Sequence, residues 1–120
     1  MSNQIFYTTE RDKAQSLTNK PSFLIECDYN SDTRYQIDVW VKDVQVTDEE
    51  KSEDHLFDGG VFEHPVMFLR FGKQIIAYIN EHYPNADIVI VDSVTEQGIR
   101  NGLDIQAKYD VQQLAGIKQF

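Results

Sequence analysis

Several residue sets in this chain are of types that could do chemistry, and their spacing decides among them. Asp28, Asn30 and Asp32 repeat the D-x-N-x-D opening of a calcium-binding EF-hand loop. Such a loop then needs Gly at its sharp bend and a bidentate Glu at its end. Thr33 and Val39 stand in those places, so the segment reads as a plain turn. His55, His64 and His82 lack paired metal-ligand spacing, and the lone cysteine supplies no zinc framework. Asp54, His55, Glu63 and His64 would surround a metal only if that region folded back on itself, so no metal or cofactor is expected. Cys27 follows the apolar Leu24 and Ile25 and lies away from the cationic neighbours that create a reactive thiolate. It reads as a buried structural thiol. No G-x-S-x-G, phosphate-binding loop or dinucleotide fingerprint occurs, and no catalytic residue is assigned.

The carboxylates carry the stronger signal. Between Asp43 and Glu63 lie eight acids (Asp43, Asp48, Glu49, Glu50, Glu53, Asp54, Asp58 and Glu63) against Lys51 alone, a net −7 in a chain of formal charge −9. Acids so clustered repel one another and favour solvent, whereas a catalytic pair needs a cleft that perturbs its two members differently. They suit a cationic protein surface instead, because complementary fields speed encounter. The isoelectric point near 4.6 also argues against binding nucleic acid or an anionic membrane.

Function is therefore expected to lie in protein binding rather than catalysis. The expected partner is a basic protein, a toxin domain of the nuclease type, whose phosphate-gripping surface clustered carboxylates can mask. The size and charge suit an immunity protein in a bacterial cytoplasm. The contact set expected is Asp48, Glu49, Glu50, Glu53, Asp54 and Asp58, with Trp40 as an aromatic anchor, since Trp is enriched at binding hot spots. One alternative is a small enzyme or ligand-binding domain with His64, His82 and Tyr83 around a pocket between sheet and helix. Another is an acidic subunit or assembly factor.

The elements that must position these residues follow from periodicity. A chain of 120 residues with 41% apolar residues can bury one core without disulfides, so a single domain over 1–120 is expected. Ser22–Tyr29 and Thr33–Val46 read as an antiparallel hairpin. In the second strand Tyr35, Ile37, Val39 and Val41 alternate with Gln36, Asp38, Trp40 and Lys42, and a bulge is expected near Lys42-Asp43. Asn3–Thr9 reads as a strand, and a short helical turn capped by Thr9 should follow. Thr47 to Glu50 matches a capping box that opens a short helix, with Leu56 and Phe57 as anchors and Gly59-Gly60 as its stop.

Pro65 to Tyr83 carries Phe68, Phe71, Gly72, Ile75, Ile76 and Ile79 at helical spacing. Ile88 to Val91 is apolar on both faces, as in a central strand covered on both sides. Ser93 to Arg100 reads either as a helix with its own capping box or as one arm of a hairpin. Leu103–Tyr109 alternates like a strand, and Val111–Phe120 reads as a closing helix. The class predicted is α+β: a mainly antiparallel sheet of about four to six strands, one main helix over 65–83 on one face, and short peripheral helices.

Overall fold

The computed structural model describes residues 4–29, 35–48, 50, 57–94 and 105–116. Its elements in chain order are β1 (Ile5–Thr8), α1 (Arg11–Ala14), β2 (Ser22–Tyr29), β3 (Tyr35–Lys42), β4 (Gly60–Phe62), α2 (Pro65–His82), β5 (Asp87–Asp92) and α3 (Ile105–Leu114). Five strands form one sheet in the order β1-β5-β2-β3-β4. The longest ladder is the expected antiparallel hairpin, in which Tyr29 faces Tyr35 and Ser22 faces Lys42. β3 continues antiparallel to β4, and β5 runs parallel to both β1 and β2. The α+β class, the strand number and the main helix agree with the sequence reading.

The sheet separates two cores because a strand sends alternate side chains to opposite faces. Phe23, Ile25, Cys27, Ile37, Ile88 and Ile90 point to one side and meet Phe68, Ile75 and Ile79 of α2 and Val111 and Leu114 of α3. Leu24, Val89 and Val91 point to the other and meet Ala14 of α1. Every residue of β5 is buried, so its unbroken apolar run reflects cover on both faces. Fully burying each such Ile or Val contributes about 1.5–3 kcal/mol. β5 is an interior strand, paired on both edges.

α2 starts with Pro65 in its first turn, where the missing amide hydrogen costs nothing, and His64 caps it without a side-chain bond. A Cβ placed at Gly72 would lie 2.7 Å from Cδ2 of Leu114, so the glycine admits α3 against α2.

Three expectations are corrected. The segment expected as a strand at Leu103–Tyr109 is helical from Ile105 and continues to Leu114. Asp110, Val111 and Leu114 are buried and Tyr109 is exposed, a helical spacing that the local alternation conceals. The cap of α1 is Glu10 rather than Thr9. No bulge carries β3 on to Val46; the strand ends at Lys42, and Asp43 turns the chain with φ of 59°. The choice between helix and hairpin for 93–102 falls largely outside the described residues.

Candidate partner-binding surface

The acidic stretch leaves β3 through Asp43 and is gathered first by its capping box. The Glu50 amide donates to the Thr47 hydroxyl at 3.2 Å, and the Thr47 amide donates to Glu50 Oε1 at 2.9 Å. Both halves of the box are thus closed as expected. The same carboxylate then reaches α2 and the residue after it. Tyr78 donates its hydroxyl to Oε2 at 2.7 Å, and Tyr83 donates to the carboxylate at 2.8 and 2.9 Å from its two oxygens. Burial works to raise the Glu50 pKa, but the Thr47 amide, the two tyrosines and the Thr47 hydroxyl outweigh it and hold it below the usual carboxylate value. For Tyr83, burial and then the bond to Glu50 push the phenol up to about 12.

A second anchor follows. Phe57 is buried, and its ring centroid lies 5.1 Å from Phe23, 5.6 Å from Tyr78 and 6.3 Å from Tyr83. Its amide donates to the Glu50 carbonyl at 3.3 Å. Glu50 and Phe57 therefore fix the stretch at two points beside the C-terminal end of α2. Gly59, with φ of 82°, carries the chain past the Ile37 carbonyl, which a Cβ would strike at 1.9 Å. Gly60 then enters β4, so the glycine pair opens an edge strand as well as ending the segment.

The seven expected contact residues fall into distinct places. Asp48 and Asp58 are exposed, one beside each anchor. Glu50 is half-buried and its carboxylate is taken up by Tyr78, Tyr83 and Thr47. Glu49, Glu53 and Asp54 lie outside the described residues, as do His55 and Leu56. Trp40 is half exposed and belongs to the opposite side of the sheet: it pairs with Leu24 in the α1-facing row, whereas Phe23, in the α2-facing row, meets Tyr83. The Arg11 guanidinium stands 5.1 Å over its ring and also approaches Glu26 at 3.6 Å, while Ser93 donates to Glu26 at 2.9 Å. Trp40 and the anchored acids do not share one surface.

The residues weighed for an enzyme site do not converge either. His64 and His82 stand at opposite ends of the 18-residue α2, which spans about 27 Å. The space between sheet and helix is filled by Phe68, Ile75 and Ile79. A hollow of about 300 Å³ beyond the end of α2 includes Asp43, His82 and Tyr83, but not His64. The Cys27 thiol is fully buried, and burial followed by the charges of Asp92, Glu26, Asp28 and Asp38 pushes its pKa up, away from thiolate chemistry. Among the described residues no group of three His, Cys, Asp or Glu side chains could hold a metal ion.

The tyrosines that hold Glu50 carry no local sequence signal, because each lies about thirty residues from its partner. The same applies to two buried aspartates, Asp92 and Asp110, which accept hydroxyls from Tyr7 and Tyr35 across the fold. Comparison with protein-family models, curated proteins and solved structures finds no match to this chain.

Proposed function

We propose that this protein is a non-enzymatic inhibitor that binds a basic protein, an immunity protein against a nuclease-type bacterial toxin. The observation that carries the reading is the double anchoring of the acidic stretch. Glu50 is held by Tyr78 and Tyr83, Phe57 is packed in the core, and Asp48 and Asp58 stand exposed beside these two points. A loose acidic linker serving solubility alone would need neither anchor. Carboxylates held in place lose less freedom on binding, which favours affinity. The buried free thiol of Cys27 suits a reducing bacterial cytoplasm, and no helix among the described residues is long and apolar enough to cross a membrane.

The test uses a purified basic nuclease domain encoded beside this chain, with inhibition of its nuclease activity as the readout. The variant Asp48→Asn, Glu49→Gln, Glu53→Gln, Asp54→Asn and Asp58→Asn keeps both anchors, Glu50 and Phe57. It should inhibit at least about tenfold less well, and association of the wild type should slow as salt rises. Undiminished inhibition by the neutralised protein rejects the acidic stretch as the binding surface.

A further inference from the structure

The hollow beyond the end of α2 has one electrostatic sign. No described Lys or Arg lines it, whereas Asp43 does, and the Asp43 carboxylate makes no hydrogen bond or ion pair with any described residue. Its neighbour Lys42 is spent elsewhere, donating to the Gln15 and Thr18 carbonyls at 2.7 and 3.2 Å. α2 ends at His82, and Tyr83 and Pro84 continue into the lining, so the negative end of an 18-residue helix dipole lies at the wall. Such an end favours a cation by about 0.3–1 kcal/mol.

The same wall offers an anion little. Pro21 and Pro84 have no amide hydrogen, the Tyr83 amide donates to the Ile79 carbonyl at 2.8 Å, and the Ala86 amide donates to the Tyr83 carbonyl at 3.1 Å. The Tyr83 hydroxyl is engaged by Glu50. Pro21, Val44 and Pro84 supply apolar surface beside the carboxylate, which suits a charged head carried on an aliphatic stem. At about 300 Å³ the hollow stands at the lower end of the ~300–1,000 Å³ range of ligand sites, room for one side chain.

We infer that this hollow receives one basic side chain, an arginine or lysine of the protein partner, with its charged head on Asp43 and its stem against Pro21, Val44 and Pro84. The occupant is a partner's side chain because the hollow is continuous with the anchored acids: Asp43 opens the acidic stretch, and Tyr83, in the same lining, holds Glu50. The inference rests on the proposed binding of a basic partner and adds to it a socket that the exposed acids do not form.

The test has two arms. In the first, the chain alone is titrated with N-acetyl-arginine amide and followed by amide chemical shifts. The Val44 and Ala86 signals should move saturably, and uncharged N-acetyl-norleucine amide should leave them in place. Asp43→Asn should weaken this binding about fivefold. Asn tolerates the φ of 59° at this position, so the turn is kept. Asp12→Asn removes the same charge from α1, across the sheet, and should change nothing. In the second arm, Asp43→Asn should inhibit the neighbouring nuclease domain about tenfold less well, and Asp12→Asn should match wild type. Absent saturable shifts, or an equal response from Asp43→Asn, overturn the socket whether or not the nuclease is inhibited. A working socket with undiminished inhibition by Asp43→Asn overturns its occupant and leaves the proposed function standing. A wild type that inhibits nothing rejects that function and this occupant together.

Discussion

Tyr83 donates its hydroxyl to Glu50 at 2.8 and 2.9 Å from the two carboxylate oxygens, joining the residue that ends α2 to the first turn of the acidic stretch. With Tyr78 on the second oxygen, the carboxylate acts as a latch. Replacing Glu50 by Ala removes all these bonds, leaves two tyrosine hydroxyls seeking water, and opens the capping box. A loss of about 1–3 kcal/mol is expected in urea unfolding. Tyr83→Phe should cost less, because Tyr78 and Thr47 still hold Glu50.

The same latch sets limits on pH. The pKa of Glu50 is lowered in the folded protein, so its contribution is complete above the ordinary value of 4.5 and is lost as pH falls through the folded value. Tyr83 and Tyr7 are raised to about 12, so their contributions are complete below 10 and are lost as pH rises through about 12. Stability plotted against pH should therefore fall at both ends. Tyr83→Phe should flatten the alkaline arm in part, and Glu50→Gln should flatten the acid one.

Gly72 should resist enlargement. Ala in a helix interior normally gains about 1 kcal/mol over Gly, but here its Cβ would meet the buried Leu114 side chain at 2.7 Å. Gly72→Val is expected to destabilise by about 1–3 kcal/mol through overpacking. Combining it with Leu114→Ala should relieve that clash, so the double variant should lose less than the two separate losses added together. A double-mutant cycle in urea measures the coupling.

Cys27 should be silent to thiol reagents in the native state. It is fully buried, and nearby carboxylates and desolvation both oppose its thiolate. Its labelling rate with a disulfide reagent should follow the opening of the fold and rise with urea. Rapid labelling of the native protein would contradict the packing described.

Trp40 reports on the other side of the sheet. It is the sole tryptophan and is 49% exposed under the Arg11 guanidinium. Acrylamide should quench its fluorescence in the folded protein, and Arg11→Ala should increase that quenching. Trp40→Ala should change stability by less than about 1 kcal/mol, since the residue lies outside both cores. A partner bound only at the acidic stretch should leave the quenching unchanged.

Local pattern was enough for much of the fold. The continuous apolar run of Phe23, Leu24 and Ile25 placed β2 at its observed limits, and alternation from Tyr35 to Lys42 placed β3 beside it, because a strand with one buried face repeats every second residue. Helical spacing with Pro65 and Pro84 placed α2, and the run from Ile88 to Val91 required cover on both faces. The capping box of Thr47 and Glu50 was equally legible, since both residues lie within one helical turn. Charge alone marked the acidic stretch.

Tertiary structure decided what depends on distant partners. Leu103 to Tyr109 alternates like a strand, yet from Ile105 the chain is helical because Val111 and Leu114 find their burial against α2 and the sheet. The three residues of β4 carry too short a pattern to read, and only the edge of β3 makes them a strand. The apolar run of β5 marked it as an interior strand, but that its neighbours are β1 and β2, both parallel to it, is a pairing that no local window specifies. The two fates of the acids are the clearest case. Asp48 and Glu50 are near-equivalent carboxylates in one helical turn, but Tyr78 and Tyr83, some thirty residues away, draw only Glu50 inward.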